Sequence, residues 1–226
     1  IGGEGAVNQK QVDNLAEYQI RRLAGSNRYG TNLEILRESV NEPQEFIVCT
    51  AWNYADGLSA SALKRPILLV GEELTAEQTQ YLNAFRDIEF TILGGEKAVS
   101  LQIEEALKQH GQVRRITGQT RHETSVMIAQ EYYDDFDSAV ITYSYDFTDG
   151  MCGGVLAAYL KAPMLLVRKG AEKDAREYLS GKQLQRKFAL DGAGALNDDT
   201  IAEVFSLGAA REILLNTEKT EEKLDL

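Results

Sequence analysis

Short apolar runs alternate with segments of helical periodicity along the whole chain. Phe46–Thr50, Pro66–Val70, Ile88–Leu93 and Gln112–Thr117 read as strands. Between them Ala55–Leu63, rich in alanine and leucine, reads as a helix. Thr75-Ala-Glu-Gln78 is a capping box whose helix carries its apolar face through Leu82 and Phe85, and Ser100 is an N-cap for a helix reaching about Gln109. The alternation continues with strands at Ser138–Tyr143, Pro163–Val167, Lys187–Leu190 and Glu212–Leu215, and helices at Asp149–Leu160, Glu172–Leu179 and Asn197–Phe205. Strands this apolar, separated by helices, belong in parallel sheets covered on both faces. The fold expected is α/β, built of tandem small doubly wound modules of the Rossmann/flavodoxin-like kind, about four strands each.

The tandem arrangement is written in the residues. Arg22-Leu-Ala-Gly-Ser-Asn-Arg-Tyr-Gly-Thr31 returns 93 positions later as Arg115-Ile-Thr-Gly-Gln-Thr-Arg-His-Glu-Thr124, and the same offset carries Ala55-Asp56-Gly57 onto Thr148-Asp149-Gly150. Pro66-Ile-Leu-Leu-Val70 reappears as Pro163-Met-Leu-Leu-Val167 at an offset of 97. Leu93-Gly-Gly-Glu-Lys-Ala-Val99 is met at Leu190–Leu196 and, before both, at Ile1–Val7. Self-similarity at this period signals repeated folded units. The division expected is the last third of an earlier copy at 1–21, a full module at 22–114, a second at 115–217 and a charged tail at 218–226. On this division the chain is a fragment of a longer polypeptide.

Composition narrows the function classes. A net charge of −11 argues against nonspecific nucleic-acid binding, which needs a basic field, while leaving room for an anionic ligand on a local arginine cluster. The sequence holds no apolar run long enough for a membrane span. The two cysteines, Cys49 in an apolar run and Cys152 near a helix start, have no metal spacing, and no cofactor fingerprint is present. Cys49 reads as a small core hydrophobe; Cys152 could be a thiolate or an inert thiol.

Four sets of residues carry candidate chemistry. Gly94-Gly95, like Gly2-Gly3, follows a strand and precedes a helix, so it is either a phosphate cradle or a turn needing positive φ. In the second copy the position becomes Asp191-Gly192, a carboxylate where an anion would sit. Asp56 and Asp149 read as helix caps rather than paired catalytic acids, because they lie in different modules. Arg22, Arg28, Arg115 and Arg121 precede helices expected to open near Thr31 and Thr124. Their forks suit phosphate or carboxylate ligands, or ion pairs of Arg28 with Asp56 and Arg121 with Asp149. His110 and His122 are isolated, and His122 stands where the first copy has Tyr29, so no shared general base exists. Nothing in this set assembles an enzyme.

Taken together, Arg22-Leu-Ala-Gly-Ser-Asn-Arg-Tyr29, Tyr54-Ala-Asp-Gly-Leu58, Pro66-Ile-Leu-Leu69 and Ile92-Leu-Gly-Gly-Glu-Lys-Ala-Val99, with their copies, resemble the cell wall binding repeat type 2 family of Gram-positive surface proteins. The resemblance covers nearly the whole chain. It implies three modules around a pseudo-threefold axis and noncovalent attachment to an anionic wall polysaccharide or teichoic-type polymer. It also implies an attached effector domain held at the cell surface, outside the cell. An anchoring motif of that family maps onto Ile67, Leu68 and Leu69 and onto Met164, Leu165 and Leu166, which the pattern alone makes a buried strand. Arg28, Tyr29, Asn53, Gly94, Gly95, Arg121 and His122 are the ligand-binding candidates. With two full modules, the three-module ring would be completed by further modules or by a partner chain. The competing expectations are a small-phosphate binder or enzyme using the glycine turns, and a scaffold that binds nothing.

Overall fold

The computed structural model describes residues 1–207; the strand expected at Glu212–Leu215 and the tail at 218–226 lie outside the described residues. The chain forms two compact units, one of Ile1–Gly57 with Arg65–Thr117, the other of Leu58–Lys64 with the chain from Gly118 onward. The second unit thus takes in a short segment of the first sequence repeat.

Unit 1 runs α1 (Gln9–Asp13), α2 (Arg28–Ser39), β1 (Glu45–Thr50), the start of α3 (Ala55–Ala60), β2 (Ile67–Val70), α4 (Ala76–Leu82), β3 (Ile88–Leu93), α5 (Leu101–Leu107) and β4 (Gly111–Ile116). Its strands are all parallel in the order β2-β1-β3-β4, the flavodoxin-like winding in which the order reverses between β1 and β3. One face of the sheet packs Phe46, Val48, Leu68, Phe90 and Ile92 against Leu33 and Leu36 of α2, Leu82 of α4, and Ile103 and Leu107 of α5. Phe46 stacks on Phe90 at 6.0 Å between ring centroids and takes Phe85 edge-on at 5.8 Å. Phe85 therefore serves the core from beyond the end of α4, not from its helical face.

The caps are those the sequence announces. Thr75 and Gln78 close a reciprocal capping box, and the Ser100 hydroxyl accepts from the Ile103 amide. At α2 the structure corrects the expected start. Asn27, not a residue near Thr31, is the N-cap and accepts from the amides of Tyr29 and Gly30, so Arg28 is the first helical residue. The Thr31 hydroxyl instead accepts from the Gly25 amide at 3.0 Å, and Thr124 does the same for Gly118 at 3.0 Å. A Cβ on Gly25 would run into the Gly30 backbone. These contacts are why Gly and Thr recur in the motif.

Unit 2 repeats the scheme with the 3-10 turn Ser61–Leu63, α6 (Arg121–Tyr132), β5 (Ser138–Tyr143), α7 (Thr148–Leu160), β6 (Met164–Val167), α8 (Lys173–Leu179), β7 (Arg186–Ala189) and α9 (Asp198–Val204). Its described strands are parallel in the order β6-β5-β7. Ala139 and Ile141 of β5 face α6 and α8 through Val126, Ala129, Ala175 and Leu179. The opposite face of β5 meets α7, whose Gly150 lies close to Thr142. The glycines of α7 also admit the Leu58–Lys64 segment: a Cβ on Gly150 would meet the Leu58 side chain, and one on Gly154 would collide with Ser61. The helix expected over Ala55–Leu63 accordingly ends at Ala60 and tightens into the 3-10 turn, with Lys64 left-handed.

Candidate functional site

Most of the sequence candidates gather at the carboxyl ends of the parallel strands, where crevices form in open α/β sheets. In unit 1, Arg28 at the first position of α2 donates to the Ala51 carbonyl just beyond β1, and its guanidinium lies 5.0 Å from the Trp52 ring centroid. Trp52 is 69% exposed, so this pair faces solvent. The Asn53 side chain accepts from the Ala55 amide at 3.1 Å and sets the start of α3. The Tyr29 hydroxyl lies against Gly71, just past β2; a Cβ on Gly71 would fall 2.5 Å from it. Asp56 covers Gly94 after β3 in the same way.

Unit 2 presents the corresponding rim with different side chains. Arg121 donates to the Ser144 carbonyl at 2.6 Å and lies 4.6 Å from the Tyr145 ring. Arg168, just past β6, lies 5.3 Å from the same ring. His122 is buried, with Nε2 2.9 Å from the Ser144 hydroxyl. Burial and then the charges of Arg168 and Arg121 hold its pKa below the ordinary histidine value, against weaker opposing pulls from Asp174 and Glu172.

The expected arginine partners and the Asp149 cap are corrected here. The guanidiniums of Arg28 and Arg121, expected on Asp56 and Asp149, go to the carbonyl that ends the strand, because the first helical turn aims them there. Arg22 and Arg115, left open as ligand forks or scaffold, make contacts within the fold. Arg115 donates to the Gly94 carbonyl at 2.8 Å and pairs with Glu104 at 2.7 Å, while Arg22 donates to the carbonyls of Gly2 and Val7, each at 2.8 Å. Asp149 is not a cap. Asp146 accepts from the amides of Phe147 and Thr148, and Asp149 lies within the first turn of α7.

Of the two readings of the glycine turn, the geometry is that of the turn needing positive φ. Gly94 has φ +92°, its amide donates to the Ile116 carbonyl at 2.9 Å, and α5 begins only at Leu101 after an intervening turn that hydrogen-bonds to the Gly95 carbonyl. Asp191 keeps this left-handed backbone at φ +90° and uses its carboxylate on the Tyr143 amide and the Thr142 hydroxyl. Burial raises its pKa, against the lowering pull of those two hydrogen bonds and with smaller contributions from the Asp149 and Asp146 charges.

Ile67, Leu68 and Leu69 lie in the edge strand β2, Leu68 fully buried and its neighbours half-buried. The Asn32 side chain closes the edge, donating to the Ile67 carbonyl and accepting from the Leu69 amide. Met164, Leu165 and Leu166 are buried throughout in β6. Cys49 is buried, and burial with the Asp56 charge pushes its thiol pKa well up; Cys152 is exposed on α7. Trp52, Tyr145, Gly71 and Arg168 were not singled out by motif. Applying the repeat offsets to the residues after each strand would have aligned Trp52 with Tyr145 and Gly71 with Arg168.

The family model for cell wall binding domain 2 (CWB2) matches twice in tandem, at residues 22–104 and 115–201. The chain belongs to this family. Among curated proteins, the N-acetylmuramoyl-L-alanine amidase LytC of Bacillus subtilis (strain 168) is 26% identical over 81% of the chain, and the amidase enhancer of the same organism 28% over 66%. The chain spans only 38% and 22% of those two proteins. Among solved structures, Cwp8 from Clostridium difficile superposes with a TM-score of 0.79 at 26% identity, covering 92% of the chain and 38% of Cwp8. Cwp6 from the same organism gives 0.82 at 22% identity, over 92% of the chain and 35% of Cwp6. The protein is thus a cell-wall-binding domain of Gram-positive surface-protein type, and its place is the cell surface. No helix among the described residues is long and apolar enough to cross a membrane.

Proposed function

We propose that this CWB2 pair is a noncatalytic anchor that grips an anionic wall polysaccharide or teichoic-type polymer at its strand-carboxyl rims and holds an attached effector domain on the wall. The observation that carries the reading is the recurrence, in both units, of an arginine fixed to the strand-end carbonyl and laid over an exposed aromatic ring. Such a ring offers a flat face to a sugar, while the guanidinium beside it meets an acidic substituent. Arg28, Tyr29 and Asn53 form the contact region in unit 1, and Arg121 and His122 in unit 2. Gly94 and Gly95 shape the rim without binding. Two weak sites on one polymer reinforce one another through effective concentration. The curated relatives named as an amidase and an amidase enhancer indicate the sort of effector such a module would carry.

The partners include a further repeat of the same kind. Phe147 at the N-cap of α7 and Met151, Val155 and Tyr159 along the helix form an i, i+4 stripe, all 45% exposed or more. In the first repeat the positions matching Met151 and Val155 are Leu58 and Ala62, which are buried inside unit 2 near the glycines of α7. A third repeat covering the stripe would complete a three-module ring.

The test is sedimentation with purified cell walls before and after extraction of their anionic polymers. Binding to intact walls and loss on extraction support the reading; equal binding to stripped walls overturns the polymer as ligand. A Val155→Lys variant tests the ring: recruitment of a separately produced third repeat should fall at least tenfold.

A further inference from the structure

The two units carry their exposed aromatic residue at the same place on the rim but hold it differently. Part of the frame is shared. The residue before the ring donates its amide to the neighbouring strand, Ala51 to the Val70 carbonyl at 2.8 Å and Ser144 to the Val167 carbonyl at 2.9 Å. The carbonyl of the same residue takes the arginine of the helix that follows the motif. The side chains that complete the frame are exchanged. In unit 1 the Thr50 hydroxyl accepts from the Trp52 amide at 3.2 Å, a local turn of the kind short hydroxyls make, and the Ala51 side chain offers no polar group. In unit 2 the place of Thr50 is taken by Tyr143, whose ring packs against the core. There Ser144 replaces Ala51 and His122 replaces Tyr29, and the two are in contact, with His122 Nε2 2.9 Å from the Ser144 hydroxyl and both side chains buried. Three positions thus differ together, and one hold on the loop is exchanged for another.

We infer that His122 is a positioning residue, which through its bond to Ser144 holds the Tyr145 ring at the rim of unit 2, and that acid releases this hold while leaving the Thr50 hold on Trp52 intact. The inference rests on the proposed role of the rim as the polymer contact and gives that contact a regulation confined to one unit.

The groups acting on the His122 ring are Arg168 just past β6, Arg121 in the first turn of α6, and Asp174 and Glu172 at the start of α8. The Glu172 carboxylate is turned to the Gly170 amide and the Thr200 hydroxyl. Burial and the two guanidiniums keep the imidazole neutral at ordinary pH. The hold is therefore complete above the unperturbed histidine value of about 6.5 and is lost as pH falls through the lower folded value. An imidazolium left in place would be desolvated and repelled by both guanidiniums. Turned outward it is hydrated, at the loss of one hydrogen bond. The Tyr145 ring, 6.5 Å away and 52% exposed, is the group such a turn displaces.

The experiment follows the backbone 15N order of Trp52 and Tyr145, together with wall sedimentation, on the intact chain between about pH 7.5 and about pH 5. It compares the wild type with Ser144→Ala, which installs the residue of the first repeat, and with His122→Gln, which keeps a nitrogen on a side chain that does not titrate. In the wild type the Tyr145 amide should lose order in acid, the Trp52 amide should not, and wall binding should fall about fivefold, the equivalent of one hydrogen bond. Ser144→Ala should be weaker by a similar factor already at the upper pH and lose little more, and His122→Gln should show no fall in acid. An unchanged Tyr145 amide, stronger wall binding in acid, or an equal fall in His122→Gln overturns the inference. Wall binding with no such response leaves the anchor standing and removes the histidine hold. Loss of Tyr145 order in acid without any wall binding does the reverse.

Discussion

Replacing Arg115 with alanine should destabilise unit 1 without touching ligand binding. Its guanidinium joins the end of β4 to the turn after β3, donating to the Gly94 carbonyl at 2.8 Å and to Glu104 at 2.7 and 3.1 Å. Both side chains of the ion pair are largely covered, at 14% and 20% exposure, so the pair is worth more than a surface bridge but remains partly screened. Assigning about 1–2 kcal/mol to the charge-assisted pair and about 1 kcal/mol to the carbonyl bond gives a loss of about 2–3 kcal/mol. Urea unfolding followed by far-UV circular dichroism and by the fluorescence of Trp52, the single tryptophan, would read this in unit 1.

A double-mutant cycle with Glu104→Gln isolates the pair. The hydrogen bond from Arg115, foremost, holds the Glu104 pKa below the ordinary glutamate value. The pair's contribution is therefore fully present above the unfolded-state value of about 4.3 and disappears as pH falls through the lower folded value. A coupling energy of about 1 kcal/mol or more at pH 7 that vanishes in acid is expected. Coupling near zero at pH 7, or undiminished well below pH 3, would refute the reasoning. So would a folded Arg115→Ala protein that no longer binds walls, since that would return Arg115 to the ligand site.

Four further outcomes follow from the same geometry. Arg22 occupies the place of Arg115 one repeat earlier, but Val12 stands near the position of Glu104, and one Arg22 nitrogen, Nη2, is buried with no partner among the described residues; Val12→Glu should raise stability by about 1 kcal/mol in urea titrations. Arg28→Ala combined with Trp52→Ala should weaken wall binding about tenfold in sedimentation while leaving the urea midpoint almost unchanged, because both side chains are exposed. Gly94→Ala must adopt φ +92° with its Cβ 2.5 Å from Asp56 Oδ2, and should lower stability by at least about 1–2 kcal/mol. Asn32→Ala uncovers the Ile67 carbonyl and the Leu69 amide on the edge of β2, which should cost about 2 kcal/mol and promote association detectable by light scattering.

Much of the fold is legible in the sequence because its signals are local. The strands at Ile88–Leu93 and Ser138–Tyr143 match the apolar runs residue for residue, and the caps at Thr75 and Ser100 follow from short acceptors placed before helical segments. The start of α2 was less legible, since Asn27 competes with Thr31 as a cap and only the Gly25 contact shows that Thr31 is engaged elsewhere. The site was visible as a set of recurring residues but not as an arrangement. Arg22 and Arg28 look alike in the motif, yet one is a latch on backbone carbonyls and the other a rim residue over an aromatic ring.

Periodicity, capping chemistry and the repeat determined most of the elements and the parallel α/β class, because each depends on residues close in sequence or on comparison of one repeat with the next; the family entered through the resemblance that the recurring motifs carry. Tertiary structure alone decided which recurring residues hold the fold and which face outward. The Arg115 contact with Gly94 and the approach of Arg168 to Tyr145 join residues more than twenty positions apart, and their meeting is set by strand order and register. The replacement of Tyr29 by His122 reads as a lost hydroxyl in sequence. In the folded unit the Tyr29 hydroxyl lies against Gly71, whereas His122 turns to the Ser144 hydroxyl and Arg168 stands at the position matching Gly71.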